Sequence, residues 1–409
     1  MRFERHIKDE VLALLKIMPV TLVLGARQTG KTTLVESIMQ SNGWTYVTFD
    51  DEVTLSLAQD DPSSWLSSLP KPVVIDEVQR VPEIFLSIKR DVDQNRIPGR
   101  YLLTGSANPL LLPKLGDSLA GRMGIVTMYP FSQGEIQRHK EQFITQIFSI
   151  TPNFPKIPKL ERKALYEILL KGSFPPINSF DNPADIKRWI NSYLQTMMQK
   201  DIRDISNIEG LREFPRLFRL IATRSANLLN ISDLSRTLGI VNMTLNRYLT
   251  LLEILFFIHL LPAWFTNLGK RLIKSPKVHV CDTAVMALLL EVDQQRLQND
   301  PYLFGQFVEN FTFLELLKQK TWSSTTCEIY HFRDGDHEVD FVFEKPDGSI
   351  VGIEVKCASK IRSDDLKGLN HLKKLSNSYF KRGVILYLGD EIQYLKPDLI
   401  ALPLQAIWS

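Results

Sequence analysis

A glycine-bounded loop between a strand and a helix constrains this 409-residue chain more than any other feature of its sequence. The apolar run Val20–Leu24 predicts a buried strand, residues 25–32 read GARQTGKT, and a helical pattern follows over Lys31–Met39. The loop satisfies the spacing G-x-x-x-x-G-K-[ST] in the strand–loop–helix context that this spacing requires. Gly25 and Gly30 let the backbone curl, so that N–H groups converge on an anion at the start of the helix. The sequence therefore predicts a phosphate-binding loop.

Two side chains of the loop carry the chemistry of a nucleoside triphosphate site. The Lys31 ammonium is a point charge for the β- and γ-phosphates, and the Thr32 hydroxyl is an oxygen ligand for Mg²⁺. Arg27 either contacts the nucleotide or faces solvent. ATP and Mg²⁺ are therefore the predicted cofactors.

A second strand ends in two carboxylates about 45 residues after the loop. The run Val73–Ile75 is followed directly by Asp76 and Glu77. Asp76 is positioned to hold Mg²⁺ opposite Thr32, and Glu77 to polarise the attacking water. With this pair the chain resembles the AAA-type P-loop ATPases. Asp76-Glu77 matches the Walker B pair of that family.

The resemblance extends to the next strand and to one arginine. Residues 101–108 read YLLTGSAN and match the strand that ends in a polar sensor, for which Thr104 and Ser106 are the candidates. Arg122, in the stretch SLAGR over 118–122, is a candidate arginine finger, which in AAA-type rings acts across a subunit interface; a structural ion pair is the alternative. The predicted nucleotide-binding residues are Gly25, Ala26, Arg27, Gln28, Thr29, Gly30, Lys31, Thr32, Thr33, Thr104 and Ser106.

A second group of polar residues lies near the C-terminus. Asp340 and the triplet Glu354-Val355-Lys356 fall on two consecutive predicted strands, joined by a hairpin at Asp347-Gly348. Side chains alternate along a strand, so Glu354 and Lys356 share a face, and strand pairing can bring Asp340 beside them. Such a group can bind Mg²⁺ and activate water against a phosphodiester. With an upstream helical acid, Glu309, it resembles the PD-(D/E)xK nuclease superfamily, some of whose members keep the fold without cleavage.

The net charge of +3 is unevenly distributed along the chain. Residues 1–150 carry −1, residues 151–275 carry +8 and residues 276–409 carry −4. The basic middle segment either binds a polyanion such as DNA or RNA, or consists of helices with solvated cations. Its excess is carried chiefly by Lys187, Arg188, Lys200, Arg203, Arg212, Arg216, Arg219 and Arg224.

Two predicted helices within this basic segment, Ser232–Leu238 and Asn242–Glu253, have helix-turn-helix spacing around Gly239. The second helix carries a single basic residue, Arg247. A winged helix used for packing or for a partner is therefore as good an interpretation as one that reads DNA.

Composition and apolar patterning exclude several other classes of protein. The apolar run Tyr248–Phe265 contains Glu253, His259 and Pro262, so it predicts a helix and a buried strand rather than a membrane span. The three Cys form neither a disulfide framework nor a metal pair, and the N-terminus has no secretory pattern. We therefore expect a cytoplasmic protein.

The whole chain resembles a widespread prokaryotic group that joins an AAA-type ATPase half to a C-terminal half of unknown function. Tyr193, residues 203–205 and residues 274–278 support this resemblance. The predicted fold is α/β: an AAA-type parallel P-loop NTPase sheet (1–150), a helical lid or linker (151–225), a winged helix-turn-helix (226–275) and an α/β PD-(D/E)xK nuclease-like domain (276–409).

Three functions remain open for a chain of this organisation. They are an ATP-driven, homo-oligomeric enzyme acting on nucleic acid, an ATP-dependent switch or scaffold with an inert tail, and a nuclease gated by ATP.

Overall fold

The N-terminal sheet is built from five short strands: β1 (Val20–Leu24), β2 (Thr45–Thr48), β3 (Val73–Asp76), β4 (Tyr101–Gly105) and β5 (Met123–Thr127). All of its pairings are parallel, and the order across the sheet is β2-β3-β4-β1-β5. Strands β1, β3 and β4 are buried at every residue, as expected for a parallel sheet covered on both faces. The predicted parallel P-loop sheet is confirmed.

The computed structural model describes residues 3–40, 43–107, 119–154, 157–199 and 213–409. The chain divides into two compact units, residues 1–131 with 254–257 and residues 132–253 with 258–409. The predicted subdivision into four domains stays a prediction. Some residues named above, including Ser118, Lys200, Arg203 and Arg212, lie outside the described residues.

The described helices of the first unit are α1 (Lys8–Ile17), α2 (Lys31–Met39), α3 (Glu52–Asp60), α4 (Pro62–Ser68) and α5 (Ile84–Gln94). Helices α1 and α2 bury Val11 and Leu34 in one apolar core with Val74 of β3 and Leu102 of β4. This packing fixes the start of α2, and with it the loop after β1, against the sheet.

The second unit is richer in helices. Those described are α6 (Gln133–Gln137), α7 (Phe143–Phe148), α8 (Arg162–Lys171), α9 (Pro183–Gln199), α10 (Glu213–Ala222), α11 (Ile231–Leu238), α12 (Asn242–Ile254), α13 (Leu268–Ile273), α14 (Thr283–Leu290), α15 (Gln294–Asn299), α16 (Pro301–Lys320) and α17 (Lys367–Ser376). Helix α16 buries residues on all sides, so it is a core helix rather than a surface one.

A small antiparallel sheet accompanies the predicted helix-turn-helix. Its strands are β6 (Asn227–Leu228), β7 (Ile258–Leu261) and β8 (Lys277–Val280), in the order β6-β8-β7. Helix α11 ends at Gly239, whose φ of 69° suits a residue without a side chain, and α12 follows. The sequence of helices and strands is compatible with the winged-helix hypothesis, which stays a prediction.

The apolar run Tyr248–Phe265 is divided between the end of α12 and strand β7, as its change of pattern predicted. Across the described ranges, no helix combines the length and the apolarity needed to span a membrane.

The C-terminal sheet has six strands: β9 (Glu328–Asp334), β10 (His337–Glu344), β11 (Ile350–Lys356), β12 (Phe380–Tyr387), β13 (Gln393–Lys396) and β14 (Leu399–Pro403). Their order is β13-β14-β12-β11-β10-β9. Strands β9, β10 and β11 form an antiparallel meander, and α17 connects β11 to its parallel neighbour β12. His337 and Glu338 begin β10, where they pair with Asp334 and Arg333 of β9.

Buried histidines make the second unit sensitive to acid. His331 on β9 is 2% exposed, and burial lowers its pKa from 6.5 to about 4. The unfolded chain takes up this proton at the higher pH, so His331 contributes stability that is lost as the pH falls from about 6.5 toward 4. Between about pH 7 and pH 5 we expect the wild type to lose about 2 kcal/mol more unfolding free energy than His331→Asn.

Urea titrations of both proteins at the two pH values measure this difference. An equal loss in the two proteins would show that His331 does not titrate differently on folding.

Candidate functional site

The loop after β1 is held in a shape that only glycine permits at its first residue. A Cβ at Gly25 would lie 2.1 Å from the carbonyl oxygen of Met128, far inside a normal contact. Gly30, at the start of α2, has a φ of 93°, which side chains rarely adopt. The two glycines that define the motif are thus both required by the backbone.

The loop curls around the side chain of its own lysine. Lys31 Nζ donates hydrogen bonds to the carbonyl oxygens of Gly25, at 2.8 Å, and of Ala26, at 3.0 Å. The Thr29 hydroxyl also donates to Ala26, at 2.9 Å. The lysine charge is therefore fixed at the first turn of α2, where the N–H groups of a helix start favour an anion.

The Asp76 carboxylate at the end of β3 is the centre of a hydroxyl cluster. Thr32 Oγ1 donates to Asp76 Oδ2 at 3.1 Å, and the Tyr46 hydroxyl donates to the same oxygen at 2.8 Å. Thr104 Oγ1 donates to the other oxygen, Oδ1. Burial, followed by the charge and hydrogen bond of Asp76, raises the pKa of Tyr46, so the phenol stays protonated. The structure thus brings Thr32 and Asp76 together as predicted.

Glu77 follows Asp76 and is aimed by two polar neighbours. Ser106 Oγ donates to Glu77 Oε2 at 2.7 Å, and the Gln79 amide donates to the same oxygen. Glu77 has a left-handed backbone with φ 58°, and its N–H donates to Thr104 Oγ1 at 3.2 Å. Such a conformation is uncommon outside glycine and often marks a functional residue.

The Glu77 carboxyl is ionised at neutral pH. Burial acts to raise its pKa, but the Lys31 ammonium, the hydrogen bonds from Gln79 and Ser106, and the Arg27 charge together hold the pKa below its usual range. An ionised carboxylate beside the phosphate loop can accept a proton from water.

The second predicted cluster also assembles. Asp340 on β10 accepts the Val355 N–H at 2.8 Å, and on β11 Lys356 Nζ lies 2.6 Å from Glu354 Oε1. Asp340 and Glu354 are each 8% exposed. Together with Glu309 of α16 they line one cavity of about 550 Å³.

Lys277, which the sequence offered only as part of the family resemblance over residues 274–278, lies inside this second cluster. Lys277 Nζ, on β8, is 2.7 Å from Glu309, 2.7 Å from Glu338 and 3.4 Å from Asp340 Oδ1. Burial acts to lower the pKa of Lys277, but the three carboxylates hold it well above its ordinary value. Within the described ranges no three His, Cys, Asp or Glu side chains are arranged to hold a metal ion.

Comparison with known families agrees with this geometry. Residues 18–137, which contain the loop and the Asp76-Glu77 pair, match an AAA domain family. The N-terminal part of this chain is an AAA-type P-loop ATPase domain. Residues 162–296 match a domain of unknown function (DUF8612), and residues 304–407 match another (DUF4143).

Two relatives that match most of the chain are described as uncharacterized proteins. A Mycobacterium tuberculosis protein is 29% identical over 83% of this chain and 71% of its own length. A Methanocaldococcus jannaschii protein is 23% identical over 80% and 73%. Among solved structures, a Walker-type ATPase of Pyrococcus abyssi matches with a TM-score of 0.46 and 16% identity, over 70% of this chain and 96% of that one. The Thermotoga maritima RuvB Holliday junction branch migration motor matches with a TM-score of 0.28 and 18% identity, over 62% and 88%.

The AAA domain also uses an arginine that the motif search missed. The Arg5 guanidinium donates to the carbonyl oxygens of Thr29 and Tyr129, both at 2.6 Å, and lies 4.9 Å from the ring centroid of Phe131. Arg5 is buried, and its hydrogen bond to Thr29 supports the phosphate loop. A charged residue before the first strand carries no local signal for this role, because its partners lie up to 124 positions away.

The remaining predicted nucleotide-binding residues lie in the loop itself or in the first turn of α2. Arg27 is half-buried, and its charge acts on Glu77. Gln28, Thr32 and Thr33 are exposed and therefore open to a ligand.

The structure does not bring Arg122 to this site. It forms an ion pair with Asp93 and directly precedes β5. Because Val20 pairs with Met123 and Leu24 with Thr127, Arg122 lies at the edge where the strands begin. The phosphate loop follows the opposite edge, roughly 15 Å away along the strand.

Proposed function

We propose that the AAA domain hydrolyses ATP with Mg²⁺ as its cofactor. The observation that carries this proposal is the convergence of Lys31, Thr32, Asp76 and Glu77 at the end of one parallel sheet. Lys31 binds the β- and γ-phosphates, and Glu77 accepts a proton from the attacking water. Phosphoryl transfer needs positioning and charge neutralisation more than covalent help, and these side chains supply both.

The residues present fit the Mg²⁺ that ATP brings. Thr32 Oγ1 and Asp76 Oδ2 are oxygen atoms that can serve as metal ligands. They lie 3.1 Å apart, and Thr32 is exposed. Mg²⁺ usually takes one or two protein oxygens together with phosphate oxygens and water, and it neutralises charge on the phosphates. Tyr46 and Thr104 orient Asp76 toward this position through their hydroxyl groups.

Ser106 is the better candidate for a sensor of the γ-phosphate. The Thr104 hydroxyl is engaged with Asp76 and with the Glu77 N–H, so it orders the acidic pair. Ser106 instead contacts the Glu77 carboxylate and Gln79 together, at 2.7 and 2.8 Å. A change at the phosphate would reach Ser106 through Glu77.

Arg122 serves a neighbouring subunit in this proposal. Its place at the far edge of the sheet supports a role outside its own site, and the ion pair with Asp93 is exposed enough to exchange partners. Hydrolysis would then need a homo-oligomer.

We assign the ATP cycle to a switch that controls the second unit. We prefer the switch to nucleic-acid binding because several cations of the basic middle segment are already neutralised. Four of them pair with acidic residues nearby: Arg188, Arg216, Arg219 and Arg224. Nucleic-acid binding is the second candidate function, favoured by the exposed Asn246 and Arg247 on α12.

Two measurements distinguish these functions. Light scattering with and without ATP reports whether nucleotide drives assembly, as the switch requires. Binding of labelled DNA and RNA at low salt tests the second candidate, because phosphate contacts are strongest there. Two results would together contradict the switch and favour the nucleic-acid function. They are a molecular mass that does not change with ATP, and tight, salt-sensitive binding of DNA or RNA.

A further inference from the structure

The carboxylate cluster of the second unit already holds a cation that belongs to the chain. We propose that the Lys277 ammonium takes the place of a divalent metal in this cluster, so that the site supports no metal-dependent phosphodiester cleavage. The cluster is instead an ion-pair centre that joins β8 to α16 and β10.

The ammonium group of Lys277 occupies the position between the carboxylates of the cluster. Three carboxylates, Glu309, Glu338 and Asp340, lie within 2.7 to 3.4 Å of Nζ. The lysine side chain is 2% exposed. A divalent ion bound by the same oxygens would sit within about 4 Å of this ammonium, and their repulsion would be little screened.

The remaining ligand atoms are also engaged. Asp340 Oδ2 accepts the Val355 N–H, and Glu354 Oε1 accepts from Lys356. Among the described contacts, Glu354 Oε2 is the buried oxygen of this cluster without a hydrogen-bond partner. A Mg²⁺ ion bound here would therefore have to displace Lys277 or Lys356 from carboxylate oxygens that it needs as ligands.

Lys277 is held in place by the strand that carries it. Its backbone pairs with Leu261 of β7 on one side and Leu228 of β6 on the other. Removing the ammonium from the cluster would leave buried carboxylates without a counter-charge, which destabilises a folded protein.

The cavity beside the cluster does not favour a polyanion. Besides the cluster itself, Asp336, Asp364 and Asp365 line it, against Lys367. Without a metal ion, this surface repels phosphate groups, whereas nuclease chemistry requires that they approach.

The test is Mn²⁺ binding to the 409-residue chain without nucleotide, monitored by electron paramagnetic resonance. Wild type and Asp340→Asn should bind Mn²⁺ equally, because the cluster contributes no site. Lys277→Met, which frees the three carboxylates, should bind Mn²⁺ roughly tenfold more tightly than wild type. The added site should disappear in the double variant Lys277→Met/Asp340→Asn.

Lys318→Met is the matched control. Lys318 is another buried lysine of the second unit, and its Nζ lies 2.7 Å from Glu315. Removing it should leave Mn²⁺ binding as in wild type, so a gain confined to Lys277→Met reports the cluster rather than the loss of a buried charge.

Three outcomes would overturn the proposal. They are a Mn²⁺ site in wild type that Asp340→Asn removes, DNA or RNA cleavage that depends on both metal and Asp340, and a folded Lys277→Met that gains no site. If Lys277→Met does not fold, the comparison of wild type with Asp340→Asn alone decides.

Discussion

Glu77→Gln should bind ATP as wild type does but release phosphate at a rate reduced roughly 100-fold or more. Glutamine has the same shape and still accepts the hydrogen bond from Ser106, but it cannot take a proton from water. Fluorescent-nucleotide binding and steady-state phosphate release separate the two effects, because the variant changes the turnover number and not the affinity.

The control for this variant is Glu83→Gln. Glu83 is an exposed glutamate that directly precedes α5. It should retain full activity. Wild-type turnover in Glu77→Gln would exclude Glu77 as the base and leave water activation to another group.

Lys31→Met should lose both nucleotide affinity and turnover. Methionine keeps the buried aliphatic chain, but the charge that faces the phosphates and the two hydrogen bonds to the loop carbonyl oxygens disappear. A charge-assisted contact to phosphate is worth about 2 to 3 kcal/mol, so we expect ATP binding to weaken by roughly 30- to 150-fold. Isothermal titration with ATP and Mg²⁺ measures this.

Lys16→Met provides the same change of charge on the exposed end of α1. It should bind ATP as wild type does. Near-normal affinity in a folded Lys31→Met would mean that nucleotide binds elsewhere or in another orientation.

The arrangement of the candidate nucleotide site could be predicted from the sequence because its signals are local. The loop between Gly25 and Thr32 lies within eight residues, and Asp76-Glu77 ends an unmistakably apolar strand. A parallel sheet places the ends of β1 and β3 at one edge, so the two motifs must meet there.

Side chains that meet through tertiary contacts gave no such signal. Tyr46 sits on a strand of ordinary pattern and reaches Asp76 only because β2 pairs with β3. Arg5 contacts the loop across 24 residues of chain. In the sequence, Tyr46 and Arg5 cannot be distinguished from tyrosines and arginines on the protein surface.

The C-terminal cluster shows the same limit more sharply. Asp340, Glu354 and Lys356 were predicted because strand alternation and a hairpin put them side by side. Lys277, which changes their chemistry, is 32 residues from Glu309 and 63 from Asp340 in the chain. The run 274–278 supported a family resemblance but gave Lys277 no partner, because burial and neighbours in space are properties of the fold.

The central claim is that the 409-residue chain hydrolyses ATP with Mg²⁺ at the loop between Gly25 and Thr32. Phosphate release by the wild-type protein, with Mg²⁺ and with the metal removed by chelation, tests it most directly. We predict release that requires Mg²⁺ and falls to background in Lys31→Met. Release that is independent of Mg²⁺, or no greater in wild type than in Lys31→Met over a wide range of protein concentration, would contradict it.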